Sequence, residues 1–126
     1  MDTLTPTTTE LLPLFQEWAE IESDRCRLQR GKHNIVTLSL GKGCFPLEVL
    51  DISGYGLAVL QAALQEAIAQ HEYYLQSEHY NYYADPEVIQ HITFENGDKV
   101  TGKHSNAAIA LLQCYLQALR AARAVA

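Results

Sequence analysis

The sequence predicts an α+β domain in the order helix, hairpin, helix, hairpin, helix. Three observations predict this fold: apolar residues at helical spacing, paired stretches of alternating residues, and glycine-containing turns between those pairs. Two successive hairpin-plus-helix units favour a four-stranded antiparallel sheet with the helices packed on one face. A chain of 126 residues fits one domain, so we expect residues 1–9 to form a flexible N-terminal arm and residues 10–126 a single α+β domain.

The first helix is expected over about residues 12–30. Leu14, Trp18 and Ile21 follow helical spacing, and the arginines late in this stretch would complement the negative end of the helix dipole. A long second helix is expected from about residue 56 to Gln76, because leucines and alanines recur at helical spacing.

The first hairpin is indicated by alternation over residues 34–40 and again over residues 45–49. The turn Gly41-Lys42-Gly43 separates the two stretches. Pro46 has no backbone N–H to donate to a neighbouring strand, so it places the second stretch at the edge of a sheet.

The second hairpin is predicted over residues 88–94 and 99–103, which flank Asn96-Gly97. This dipeptide favours a tight turn with positive φ at both positions. Residues 78–86 are expected to form the preceding loop. Ser105 or Asn106 is a suitable N-cap for a final helix with a regular apolar face.

The charges are segregated along the chain. The net charge is −6, and the acidic stretches 1–24 and 44–98 contain no Lys or Arg, whereas 25–43 and 99–126 contain no Asp or Glu. Oppositely charged stretches either pair within one molecule or form a two-faced surface that docks a charged partner or a second copy. The low charged content of 19% favours a homodimer, and the net charge argues against general nucleic-acid binding.

Compartment and cofactors follow from composition. The three cysteines form no C-x-x-C pattern, so free thiols in a reducing compartment are expected. Residues 1–10 lack the features of a secretory signal, and the apolar stretch 56–69 is too short and too polar to span a bilayer. We expect a cytoplasmic protein without cofactor or membrane contact.

The segment Tyr73–Tyr83 contains five of the seven tyrosines. Tyrosine presents a large ring and a polar tip at low entropic cost and is enriched in interface hot spots. The segment therefore predicts a surface that recognises a protein partner, with the binding residues Tyr73, Tyr74, His79, Tyr80, Tyr82 and Tyr83.

A compact basic run is a second candidate surface. Its cations are possible contacts for phosphates or other anions: Arg25, Arg27, Arg30 and Lys32. Since no aromatic residue interleaves this run and its charges suit a helix end, nucleic acid is the less favoured partner.

No motif predicts catalytic or metal-binding residues. Residues 97–104 have the spacing of a phosphate-binding loop, but His104 stands where the magnesium-binding hydroxyl is needed. The five histidines show no zinc-ligand spacing.

Three functions remain as hypotheses. The favoured one is a non-enzymatic protein-binding module (adaptor, chaperone-like or inhibitor protein) that uses the tyrosine-rich segment. The second is a small enzyme with a pocket between the long helix and the sheet, using His71, His79, Glu72 and Glu78 as acid and base. The third is a nucleic-acid accessory protein that uses residues 25–33. The element order and acidity are similar to those of the small dimeric chaperones of secretion systems, a resemblance that transfers no residue roles.

Overall fold

The computed structural model describes residues 6–31, 34–49, 52–80 and 86–125. Over these ranges three helices and six strands follow one another: α1 (Pro6–Ile21), β1 (Cys26–Gln29), β2 (Ile35–Leu40), β3 (Gly43–Glu48), α2 (Gly54–Gln70), β4 (Tyr74–Tyr80), β5 (Glu87–Thr93), β6 (Lys99–His104) and α3 (Ala107–Val125). The chain divides into two compact units, Met1–Ala63 and Leu64–Ala126. The arm expected over residues 1–9 lies partly outside the described ranges, and α1 begins within it at Pro6.

The strands form two separate three-stranded antiparallel sheets, in the orders β1-β2-β3 and β4-β5-β6. The α+β class is confirmed, but the predicted four-stranded sheet and helix-hairpin repeat are wrong. Each half of the chain contains a predicted hairpin and one further strand, β1 or β4, that the prediction placed in helix or loop.

In the first unit, α1 ends nine residues earlier than predicted. Leu11, Phe15 and Trp18 on this helix are fully buried. The chain then turns, and β1 follows with Cys26 buried and the next residue, Arg27, exposed, which is the alternation of a strand. The prediction failed because Leu28 fits a helical spacing from Ile21 as well as it fits an alternating strand.

The first predicted hairpin is confirmed as β2 and β3. Val36 and Leu38 of β2 are fully buried, and they lie opposite Leu47 and Phe45 of β3. Pro46 stands on the edge strand of this sheet, as its missing N–H requires.

In the second unit, α2 ends at Gln70 rather than at about residue 76. Glu72 has a φ of 62°. Its N–H donates to the carbonyl of Ala69 (3.0 Å), and the N–H of Tyr73 donates to that of Ile68 (3.2 Å). This is a Schellman stop, which usually has glycine at the left-handed position. Since glutamate fills that position here, the sequence carried no obvious stop signal.

The second predicted hairpin is confirmed as β5 and β6, although its turn differs. The Gly97 N–H donates to the Phe94 carbonyl (2.9 Å), and Gly97 has a φ of 96°. Among the described residues Glu72 is the non-glycine residue with positive φ, so Asn96 does not share the conformation expected for a two-residue turn. A four-residue turn closed by a left-handed glycine results.

Helix α3 packs on β5 and β6. Asn106 caps it, because its side-chain oxygen accepts from the backbone N–H groups of Ala108 (3.0 Å) and Ile109 (3.2 Å). From Ala108 to Leu119 the helix is buried on almost every side. Among the helices described, none is both long and apolar enough to cross a membrane.

Candidate functional site

The three strands of the second unit present one open face, which we call the tyrosine face. On β5 the even-numbered residues Val88, Gln90 and Ile92 are buried, so the odd-numbered residues point to the opposite face. The strand register extends this second face across the sheet to Tyr74, Gln76, Glu78 and Tyr80 on β4, Glu87, Ile89, His91 and Thr93 on β5, and Lys99, Thr101 and Lys103 on β6.

Two tyrosines dominate this face. The exposed fraction is 62% for Tyr74 and 38% for Tyr80. They are spaced by an even number of residues on β4 and therefore stand on the same side of the strand. Their rings are therefore available for contact with another molecule.

Hydrogen bonds across three strands order this face. The Tyr80 hydroxyl donates to Oε1 of Glu78 (2.5 Å). Oε2 of Glu78 accepts from Nε2 of His91, and Nδ1 of His91 lies 3.1 Å from Oγ1 of Thr101. Tyr80 first and His91 second lower the pKa of the Glu78 carboxyl, because both hydrogen bonds stabilise its charged form. The network therefore links Tyr80 on β4 to side chains of β5 and β6.

The opposite side of β4 is anchored to the core. The Ser77 hydroxyl contacts Oε1 of Gln90, whose exposed fraction is 2%. The Gln90 amide donates in turn to the carbonyl of Ala107 at the start of α3 (3.4 Å). The chain of contacts links β4 to α3 through a buried amide, and it fixes the side of β4 that points outward.

The remaining residues predicted for the tyrosine-rich surface have different positions. Tyr73 packs in an aromatic cluster, stacked on His71 with ring centroids 4.9 Å apart and edge-on to Phe94 at 5.1 Å. His79 is exposed, but alternation places it on the side of β4 opposite to Glu78. The predicted binding residues Tyr82 and Tyr83 lie outside the described residues.

The described cations of the basic run have different surroundings. Nε of Arg25 lies 3.4 Å from Oε1 of Glu22. Arg27 is exposed on β1, whereas Arg30 lines a shallow groove of about 410 Å³ beside α1 that also contains Glu20. Lys32 lies outside the described residues. Arg25 thus pairs with a carboxylate and Arg30 shares a groove with one, whereas Arg27 is exposed.

The segregated charges meet across neighbouring stretches of the chain. Arg25 pairs with Glu22 in the first unit, and Lys103 pairs with Glu87 (3.4 Å) in the second. Each of these two pairs joins a basic stretch to the acidic stretch before it. The first of the two interpretations of the charge pattern, pairing within the molecule, accounts for these four residues.

The acid and base groups named for an enzyme do not converge. Glu72 stands at the end of α2, His71 stacks on Tyr73, and Glu78 and His79 point to opposite sides of β4. Instead, β-sheet pairing brings Glu78 together with His91 and Thr101, two residues that sequence reasoning missed. The alternation of β5 indicates which face His91 lies on. Its contact with Glu78 depends on β4 being the neighbouring strand, and the sequence pattern did not show this pairing.

A carboxylate, an imidazole and a hydroxyl in this order resemble a hydrolase triad in composition. A triad also needs backbone donors aimed at a developing oxyanion. The backbone of Thr101 lies in the ladder with His91, and the Thr101 side chain is exposed on an open face. The geometry therefore supports an ordered surface network better than a catalytic centre.

Metal ligands and thiols do not define a site over the part of the chain that the structure describes. In those ranges no group of three His, Cys, Asp or Glu side chains is placed to hold a metal ion. Burial raises the pKa of Cys26 to about 12, with a smaller effect of Glu22, and raises that of Cys114 to about 11. Cys26 and Cys114 are buried, and Cys44 is exposed.

One further concavity lies in the second unit. It has a volume of about 700 Å³ between the β5–β6 turn and the carboxyl end of α3, with Phe94, Lys99 and Ala121 among its walls. The segment that resembled a phosphate-binding loop borders it but is extended as β6, so its backbone pairs with β5 rather than forming a cradle.

A scan against protein-family models, a search of curated proteins and a search of solved structures each found no match to this chain. Its function has to be inferred from the geometry.

Proposed function

We propose that the protein is a non-enzymatic protein-binding module and that the tyrosine face receives its partner. The observation that carries this proposal is the pair Tyr74 and Tyr80, exposed by 62% and 38% on one side of β4. Ile89 adds apolar area between charged residues of the same sheet face. Tyrosine and other aromatic side chains are enriched in protein interfaces.

Preorganisation supports the same function. A partner that binds a mobile tyrosine has to restrict it, at an entropic cost of about 0.5–1.5 kcal/mol for each side chain fixed at an interface. Since Glu78 already holds the hydroxyl of Tyr80, much of this cost is met when the chain folds. An adaptor, a chaperone-like protein and an inhibitor all belong to this class.

The test is a double variant, Tyr74→Ser with Tyr80→Ser. Proteins retained from an extract of the source cells are compared by quantitative mass spectrometry for wild type and variant. Removing one hot-spot tyrosine costs about 2 kcal/mol, or roughly 30-fold in affinity, so the double variant should lose the specific partners. Tyr55→Ser is the matched control, because Tyr55 is 70% exposed and lies in α2 rather than on the tyrosine face.

The proposal is wrong if the double variant is folded by circular dichroism and retains the same proteins as wild type. It is also wrong if Tyr55→Ser causes the same losses, since exposure of any tyrosine would then be sufficient.

A further inference from the structure

The outer edge of β4 is a row of backbone donors and acceptors with no neighbouring strand in the described part of the chain. β4 has seven residues and pairs with β5 on one side. None of its side chains is buried. An exposed edge of this length is a template for another strand unless side chains prevent pairing.

The other three edge strands carry such protection. β1 is only four residues long and contains Arg27. β3 contains Pro46, and β6 carries Lys99 and Lys103. Proline and lysine are the usual residues that keep sheet edges from pairing. β4 is longer than any of these strands and contains no Lys, Arg or Pro, so its edge lacks the side chains that protect the other three from a partner strand.

We propose that the edge of β4 pairs antiparallel with β4 of a second copy, about a two-fold axis at Ser77. A two-fold axis perpendicular to the sheet keeps each side chain on its own face, so a symmetric pairing has to be centred on a residue. Centring on Ser77 pairs the whole strand, from Tyr74 opposite Tyr80 of the second copy to Tyr80 opposite its Tyr74.

The chemistry of the paired positions selects a second copy over a foreign strand. On the tyrosine face Tyr74 lies opposite Tyr80, and the Gln76 amide lies opposite the Glu78 carboxylate. On the other face Leu75 lies opposite His79. Aromatic pairs and donor–acceptor pairs stabilise facing strands. Centring on Glu78 would instead place two carboxylates directly opposite each other and shorten the paired region.

In this dimer the β4-β5-β6 sheet of one copy joins the β4-β5-β6 sheet of the other to form one six-stranded sheet. The tyrosine faces of the two copies then become continuous. The faces remain open, so the dimer does not depend on the proposed partner-binding function.

The experiment measures the dimer dissociation constant by sedimentation equilibrium for wild type and for two variants at Gln76. Gln76→Glu places like charges opposite each other twice in the dimer, and Gln76→Lys places opposite charges there. We expect a dimer of wild type that Gln76→Glu weakens and Gln76→Lys maintains, with about a tenfold or larger difference between the variants. Gln29→Glu and Gln29→Lys are matched controls on the exposed edge strand β1, and they should match wild type.

A cysteine at the axis tests the register independently. In a Cys44→Ser background, which removes the exposed native thiol, Ser77→Cys should form a disulfide-linked dimer on mild oxidation. Directly opposed residues of antiparallel strands lie within the Cα separation that disulfides need. Ser39→Cys in the same background, on the central strand β2, should remain monomeric in the same oxidation.

If the wild-type chain is monomeric at every concentration, the proposal is wrong. An extended segment of a different protein is then the remaining candidate partner for the edge of β4. A dimer that is indifferent to the Gln76 variants and does not crosslink through Ser77→Cys overturns the proposal equally. Either result leaves partner capture by Tyr74 and Tyr80 standing, since the Tyr74→Ser, Tyr80→Ser experiment measures it separately.

Discussion

Replacing Gly102 with alanine is expected to destabilise the second unit strongly. A Cβ atom at this position would lie 2.2 Å from the carbonyl oxygen of Ala110, 2.7 Å from the backbone nitrogen of Cys114 and 2.9 Å from its Cβ. Real Cβ atoms essentially never approach another heavy atom within 3.0 Å. Two of the three contacts are with backbone atoms, which cannot rotate away, so α3 has to move.

The size of the effect follows from that displacement. Restoring normal contact with the Ala110 oxygen requires a shift of about 1 Å between α3 and β6. Overpacking of a core usually costs 1–3 kcal/mol, and a clash with backbone belongs at the upper end, so we expect a loss of about 3 kcal/mol. For a chain of this length that loss lowers the melting temperature by roughly 10 °C.

Urea unfolding followed by far-UV circular dichroism measures this loss, and amide exchange in α3 localises it. The control is Gly31→Ala, because nothing lies within 4 Å of a Cβ placed at Gly31. That substitution should change stability by less than about 1 kcal/mol and in the favourable direction, since it restricts the unfolded chain. If Gly102→Ala has the same stability as the control, then α3 does not approach β6 this closely and the reasoning fails.

Three further outcomes follow from single residues. Glu72→Gly should raise stability by roughly 0.5–1 kcal/mol, because glycine adopts positive φ without strain; an unchanged or lower melting temperature contradicts this. Iodoacetamide should label Cys44 in the native protein and reach Cys26 and Cys114, buried and with raised pKa values, only after unfolding; mass spectrometry showing three labels on folded protein refutes it. The pKa of Glu78 lies below its ordinary value of 4.5, so its stabilising effect is present above that pH and lost as the pH falls through the folded value. In Glu78→Gln the free energy of unfolding should therefore fall less than in wild type as the pH is lowered from neutral into the acid range. The same pH dependence for variant and wild type would contradict this.

The parts of the fold that the sequence predicts well have strong local signals. β2 and β5 are central strands with one buried face, so their alternation is clear, and Asn106 caps α3 with a side chain suited to that role. β1 was missed because Leu28 also fits a helical spacing from Ile21, and β4 was missed because none of its side chains is buried. A strand with one neighbour and little burial needs no regular apolar pattern, and β4 has none.

In the candidate site too, residues with a clear local signal were predicted, and residues whose role depends on strand pairing were missed. Tyr74 and Tyr80 were chosen from their chemistry and are exposed, whereas Tyr73 is a packing residue of an aromatic cluster. His91 and Thr101 were missed because their role depends on which strands are neighbours. That pairing is a non-local property, and a residue-by-residue pattern does not contain it.

The position of α3 along the chain has a consequence for synthesis. It covers the inner side of β5 and β6, yet it is the last of these elements to be translated. At roughly 5–20 residues per second, Val88 and Ile92 emerge before their cover is complete. During that interval the nascent hairpin presents apolar residues that α3 later buries, and these residues are exposed to misassembly and to chaperone capture on the ribosome.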